Sequence, residues 1–451
     1  MAEKLIVIGG TAAGLSAASR ARKERPDMEI KVFEKSGFVS YGACGLPYFV
    51  GGMIDDENEL IAIDASTLRE KRNINTYIHH EAIFINTEKK TVDVKNLSTG
   101  EISVHAYDKL VIATGASPVI PPLPGIESEG VYYLRNVEDG IRLKNAAKQY
   151  KKVCIIGGGA IGLEMAEELK NIGLSVSIYE QFPRFLPFLE AAYSETIEDT
   201  LKKNNVAVHT NTQVAEIVAE NGKVCGVRTA DGVYEETDFI IVSVGVKPAT
   251  ELAKQANIEI GLKGGIVVDD ELHTSNADIW ACGDCVQMKH RITQKPVYVP
   301  LGTTANKQGR IAGGNVVGSH DKFKGVLGSM VTKVFDLYIA ATGLSKDQAE
   351  QEGYQTAVVT ITKQDRASYY PGGQNNHICL IFDKYTGVLL GAQGIGSESV
   401  AGRINTLAVA ITCGMTVEEI NELDLVYAPP VAPVYDPILI AASQAIKKVV
   451  K

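Results

Sequence analysis

Long apolar runs are missing from this sequence. Stretches such as Phe239–Val242 fall far short of the ~20 residues that span a bilayer, so no membrane association is expected. An excess of basic residues is also missing. The net charge is −9, and nucleic-acid backbones are bound by basic surfaces, so no nucleic-acid partner is expected. The opening run, Met1 to Gly10, is too short for a signal-peptide core and carries no cleavage site. The seven cysteines (44, 154, 225, 282, 285, 379 and 413) are odd in number and scattered. That excludes a disulfide framework and points to a reducing, cytoplasmic setting. Low-complexity segments are absent. What remains is an ordinary globular composition over 451 residues, enough for two to four domains at roughly 100–200 residues each.

Two segments share one pattern. Lys4–Glu34 reads as an apolar strand, a glycine turn, an Ala-rich helix and a second strand. Lys152–Glu180 repeats it. Both are βαβ units of about 30 residues, which implies parallel sheets. A Pro-rich linker, Ser117–Gly125, lies between them, and the chain breaks again at Gly245–Pro248. The segment from Phe323 onward shows no nucleotide fingerprint. Its strand-like runs (Thr356–Ile361, His377–Phe382, Val388–Gly391) and helix-like runs (Val400–Cys413, Pro437–Val450) predict an α+β domain. The expected fold is α/β: two Rossmann-like dinucleotide-binding domains and a C-terminal α+β domain. The expected divisions are 1–120 with 246–322, then 121–245, then 323–451.

The second unit carries the full G-x-G-x-x-G pattern at Gly157, Gly159 and Gly162, enclosing Ala160 and Ile161. The first glycine permits the tight turn, the second lets backbone approach a pyrophosphate, and the third lets helix and strand pack. The anion then rests on the helix N-terminus. Glu180 follows where a ribose-binding carboxylate belongs. Such a carboxylate repels a 2′-phosphate, so NADH is favoured. Arg184, four residues on, leaves NADPH open. In the first unit Gly9, Thr11 and Gly14 hold the three places, with Gly10, Ala12 and Ala13 keeping the turn small, and Glu34 and Lys35 follow the second strand.

Three more segments resemble the pyridine nucleotide–disulfide oxidoreductases, flavoproteins with two dinucleotide-binding domains. They are Ala113-Thr114-Gly115-Ala116-Ser117-Pro118, Val244-Gly245-Val246-Lys247-Pro248 and Ile279-Trp280-Ala281-Cys282-Gly283-Asp284. The resemblance implies that the first unit binds FAD, that Asp284 holds its ribityl chain, and that the second unit binds NAD(P)H. It also implies that the third domain forms a homodimer. Cys282-x-x-Cys285 flanks this flavin motif and is expected to be structural, since no second Cys pair or His cluster completes a metal site.

The segment Val39–Gly52 contains Cys44, with Pro47 and Phe49 where a second redox cysteine would stand. It resembles the single-cysteine branch: coenzyme A-disulfide reductases, NADH peroxidases and NADH oxidases. A helix opened by Pro47 would lower the Cys44 pKa and favour the reactive thiolate. Peroxidase and oxidase members carry a histidine where Ala12 stands. Cys-Gly-Leu-Pro-Tyr and Tyr427-Ala428-Pro429-Pro430 are more like the coenzyme A-disulfide reductases. That likeness implies a shared active site in which Tyr427 and either Tyr369 or Tyr370 reach the partner subunit. A phenol can protonate a leaving thiolate. Relatives often carry a lysine in the polar run before Asp436-Pro437, and this chain has none there. Arg20 and Arg22 stand at places that coenzyme A-binding relatives use, on a helix whose Arg20, Arg22, Lys23 and Arg25 are spaced to put several on one exposed face. Ser40 and Asn306 are also expected at the substrate site. Glu164 is expected to gate nicotinamide, although no lysine follows Cys44 before Lys71 to pair with it. The leading expectation is reduction of coenzyme A disulfide, or of a polysulfide, through Cys44. The alternative is an NADH oxidase or peroxidase cycling through a Cys44 sulfenic acid.

Overall fold

The computed structural model describes residues 2–450. Its first layer is a five-stranded parallel sheet in the order Ile279–Ala281, Lys109–Ile112, Lys4–Ile8, Glu29–Phe33, Asn75–Tyr77. The strands Lys4–Ile8, Lys109–Ile112 and Ile279–Ala281 are almost continuously apolar because both faces of a parallel sheet are covered; Leu5, Val7, Leu110 and Val111 are fully buried. Helix α1 (Ala12–Glu24) follows the first strand. Helix α2 (Leu46–Val50) follows the second nucleotide-unit strand after a loop.

A second five-stranded parallel sheet runs Ala207–His209, Ser175–Tyr179, Lys152–Ile156, Phe239–Val242, Val131–Tyr132. Helix α3 (Ala160–Asn171) follows its central strand. The chain enters and leaves this layer through Ala116–Pro118 and Val246–Pro248, which pair antiparallel. Helix α4 (Gly302–Asn315) returns to the first layer and packs against α1. A Cβ on Gly309 would lie 2.1 Å from the Ala13 carbonyl, so only glycine permits this approach.

The third layer is an antiparallel five-stranded sheet: Met330–Val334, Leu337–Gly343, Leu389–Gly396, Asn375–Asp383, Thr356–Gln364. Helices α5 (Ser399–Cys413) and α6 (Pro437–Ile446) complete its core with Ile378, Leu380, Phe382 and Leu407. The fold class is as expected. The hairpin 330–343 was not anticipated, because its two-residue turn carries no glycine or asparagine. Phe335 itself adopts φ 52° there. Two antiparallel meanders, at 80–106 and 214–236, were also missed. The last helix ends at Ile446, short of the expected Val450.

Candidate active site

The two glycine turns are built alike. Gly9 and Gly157 take φ of 112° and 109°, which side-chain-bearing residues avoid. A Cβ at these places would lie 2.2 Å from the Ala113 carbonyl and 2.6 Å from the Ser243 carbonyl. A Cβ on Gly14 or Gly162 would meet the Gly9 or Gly157 carbonyl at 1.9 or 2.0 Å. The middle place differs: a Cβ on Gly159 would have nothing within 4 Å of it. Thr11 stands at the matching position of the first turn, where it is the N-cap of α1 ahead of Ala12.

The acids also repeat. Glu34 accepts the backbone N–H groups of Gly10 (2.7 Å) and Ser36 (2.8 Å). Glu180 accepts those of Gly158 (2.8 Å) and Phe182 (2.9 Å). Each carboxylate ties the end of its second strand to the turn. Each still has lone pairs for ribose hydroxyls, since an ionised carboxylate offers about four acceptor sites. Lys35 is exposed beside Glu34, and Arg184 is half-buried beyond Glu180.

Asp284 gives the most specific sign of a bound group. One oxygen accepts from Arg135 Nη2 at 2.7 Å; the other, Oδ1, is buried without a partner. A buried unpaired carboxylate oxygen is costly and calls for a donor, which a ribityl hydroxyl would be. Gly283 packs against α1, its hypothetical Cβ 2.8 Å from that of Ala13, and its N–H donates to Gln308 (2.8 Å). Arg135 also donates to the Ala116 carbonyl (3.1 Å), beside Gly115. Thr114 donates to Ala249 (2.6 Å), and the Gly245 carbonyl accepts from Val119 (3.0 Å). The cradle, Glu34 and Asp284 therefore fit FAD. Cys282 and Cys285 are fully buried, burial pushes both thiols up, and Cys285 reaches about 11. No metal-holding cluster of His, Cys, Asp or Glu occurs among the described residues.

Cys44 occupies a single 3-10 turn, Ala43–Gly45, directly before the five-residue α2, with Pro47 in that helix's first turn. Phe49 is 2% exposed, in a core with Leu46 and Leu60. Cys44 itself is accessible. The expected lowering of its pKa is not what the surroundings produce. Despite that accessibility, packing around the sulfur raises it first, then Glu164, with Asp284 adding and Arg135 opposing. Cys44 lies in a separate turn ahead of a very short helix, and carboxylates outnumber cations around it. Glu164 is raised mainly by burial and accepts from the Thr332 hydroxyl at 2.7 Å. No lysine from the Cys44 segment meets it, as expected; Lys333 acts on it from nearby while pairing with Glu167. Tyr48 is pushed up to about 12 by burial and by Glu164. Glu168 is 2% exposed, has an unpartnered Oε1, and is pushed up to about 7 by burial and by Glu167. Ser40, at φ 51°, links this segment to the first cradle by donating its N–H to the Gly10 carbonyl (2.9 Å).

The Tyr369 and Tyr427 hydroxyls lie 3.1 Å apart, and this bond raises the Tyr427 phenol. Tyr370 is 40% exposed and lies outside this pair. Neither paired tyrosine is among the groups acting on Cys44 of the same chain. The arginines in and just after α1 are held by separate partners. Arg20 pairs with Glu24 and Asp321. Arg22 donates to the carbonyls of Pro26 (2.6 Å) and Asn73 (2.8 Å). Arg25 pairs with Asp27 and Glu3. Asn306 is exposed on α4 and accepts from Ser16 of α1 at 2.9 Å. Sequence reasoning missed Arg135, Tyr48, Thr332 and Glu168. The local signals were the Cys-Gly-Leu-Pro-Tyr stretch for Tyr48 and the Arg-Asn-Val-Glu-Asp run at 135–139 for Arg135.

The profile described as pyridine nucleotide-disulphide oxidoreductase matches residues 3–309, and that family's dimerisation domain matches 329–436. The chain is 37% identical to an NADH oxidase of Methanocaldococcus jannaschii, over 99% of each chain. It is 36% identical to the NAD(P)H sulfur oxidoreductase (CoA-dependent) of Pyrococcus furiosus, over 98% of each. A crystal structure of an NAD-dependent persulfide reductase from A. fulgidus superposes with a TM-score of 0.96 at 39% identity, covering 99% of this chain and 83% of that one. No helix among the described residues is long and apolar enough to cross a membrane.

Proposed function

The chain belongs to the pyridine nucleotide-disulphide oxidoreductase family, and from that premise we propose an FAD-dependent NAD(P)H oxidoreductase that reduces coenzyme A disulfide, or a related persulfide or polysulfide, through Cys44. One observation carries the reading: Cys44 is accessible, while Pro47 and Phe49 fill the places of a second thiol and are buried. Its disulfide partner therefore comes from outside the chain. The relative named as CoA-dependent supports coenzyme A as that partner. For a symmetric disulfide the balance is NADH + H⁺ + RSSR → NAD⁺ + 2 RSH.

Bound flavin would supply hydride acceptance on one face and electron-pair delivery to sulfur on the other. Gly9–Gly14, Glu34, Lys35, Ala113–Gly115, Gly245 and Asp284 would hold it. Gly157–Gly162 and Glu180 would hold NADH in preference to NADPH, and Glu164, steadied by Thr332, would border the nicotinamide. In a homodimer the partner subunit's Tyr427, set by its Tyr369, would protonate the leaving thiolate. Ser40, Asn306 and Arg20 would line the substrate path. The matching division of the chain is 1–120 with 246–322 for FAD, 121–245 for NAD(P)H and 323–451 for dimerisation, supported by the antiparallel pairing of the two crossings.

The relative named NADH oxidase favours the second reading, with Cys44 as sulfenic acid. Ala12 counts against it, since a methyl group supplies no proton to peroxide. Anaerobic NADH consumption driven by coenzyme A disulfide or polysulfide is the expected result. Fast consumption driven by oxygen alone, with none by disulfide, would favour the oxidase. Equal turnover with NADPH would contradict the assignment of Glu180.

A further inference from the structure

The paired tyrosines sit on separate loops. Tyr369 lies between the strands Thr356–Gln364 and Asn375–Asp383, and Tyr427 lies shortly before α6. Tyr369 is 73% exposed and Tyr427 45%. One hydrogen bond between exposed hydroxyls is a weak tether against the freedom of two loops. The order must come from the stems, and one buried side chain reaches both. Arg403 of α5 is 5% exposed. Its Nη2 donates to the Asp365 carbonyl at 3.0 Å, and its Nε and Nη2 donate to the Asp436 carboxylate at 3.1 and 2.9 Å. Nη1 donates to the Ser399 hydroxyl of its own helix. Asp365 opens the Tyr369 loop, and its carboxylate also accepts from the Gln374 N–H (3.0 Å) and the Ser397 hydroxyl (2.9 Å). Asp436 closes the Tyr427 loop and caps α6 through the Ile438 N–H at 2.8 Å. A backbone bond from Ala367 to Pro429 (3.2 Å) joins the loops directly.

We propose that Arg403 is a positioning residue for the redox reaction: its guanidinium fixes both loop stems and thereby the placement of the Tyr369–Tyr427 pair. The planar fork suits this task, because several donors leave one rigid group in set directions. A lysine ammonium keeps the charge but not that geometry. The functional half of the inference rests on the reading of Tyr427 as a proton donor.

The test compares holoenzyme carrying Arg403→Lys with native enzyme and with Tyr369→Phe and Tyr427→Phe. Tyrosinate absorbance against pH reports the hydroxyl pair without any turnover. The difference titration between an enzyme and its Tyr427→Phe counterpart isolates the Tyr427 phenol from the other tyrosines, and in the Arg403→Lys background that difference is expected to move to lower pH, as it does in the Tyr369→Phe background. Anaerobic flavin reduction by NADH should stay within about twofold, while kcat with coenzyme A disulfide falls about tenfold or more at unchanged KM for NADH. If Arg403→Lys melts lower but keeps both the native difference titration and the turnover, Arg403 is merely structural and the proposal fails. If the Phe variants leave turnover untouched, the proton-donor reading fails instead, and the titration of Arg403→Lys still decides the clamp. Should Arg403→Lys not fold, Asp436→Asn opens the same stem, keeps an acceptor for the Ile438 N–H, and should give the same shift.

Discussion

Cys44 is accessible, lies on a turn at the end of a loop, and has Glu164, Arg135 and Asp284 acting on it. Cys282 and Cys285 are fully buried, and the Cys285 thiol donates to the backbone carbonyls of Ile112 (3.5 Å) and Cys282 (3.3 Å). By spacing, the pair looks like the redox centre and the lone cysteine does not. Spacing only allows two sulfurs to meet. Access and charged neighbours decide whether they react. Burial raises both thiols of the pair, Cys285 to about 11, and the two residues flank Gly283 and Asp284.

That contrast can be broken in four places. Cys44→Ser should lower disulfide turnover by at least about 10³-fold, since the covalent step loses its nucleophile, while flavin absorbance shows the fold intact. Glu168→Gln should act next. Glu168 lies under α2, so close that a Cβ on Gly51 would be 2.1 Å from its carboxylate. Its folded pKa is raised to about 7, above the usual carboxylate value. Its stabilisation is therefore full at low pH and lost as pH rises through about 7. The melting temperature of native protein should fall across that window, and that of Glu168→Gln should not.

Glu164→Gln should have a smaller effect. Glu164 raises the Cys44 thiol, so removing its charge should lower that pKa and speed alkylation of reduced Cys44 at neutral pH by roughly two- to fivefold. Slower alkylation would reverse the assignment. Cys285→Ala should change kcat least, by less than about twofold, while costing about 1–2 kcal/mol of stability by denaturant titration. Loss of turnover with an unchanged flavin spectrum would put the pair back into the chemistry.

Features fixed by backbone sterics were legible in the sequence. Gly9, Gly14, Gly157 and Gly162 stand where a Cβ would strike a carbonyl, and Glu34 and Glu180 follow at the spacing the turn requires. Cys44 was legible because Pro47 and Phe49 occupy the alternative places. What stayed hidden depends on contacts between distant segments. Arg135 meets Asp284 across 149 residues. Thr332, rather than a lysine near Cys44, meets Glu164. Arg20 and Arg22 share a helix yet turn to different partners, Asp321 and Asn73, which helical spacing does not show. Tyr369 and Tyr370 are neighbours in sequence, and only the packing of the Tyr427 loop distinguishes them.

The central claim is that Cys44 takes its disulfide partner from outside the chain. Purified oxidised protein reduced anaerobically with one equivalent of NADH, then alkylated and mapped by mass spectrometry, tests this most directly. The account predicts one new protein thiol per subunit, at Cys44, and one released small thiol of coenzyme A mass. Two new protein thiols, Cys44 with another cysteine or Cys282 with Cys285, and no released small thiol, would contradict it.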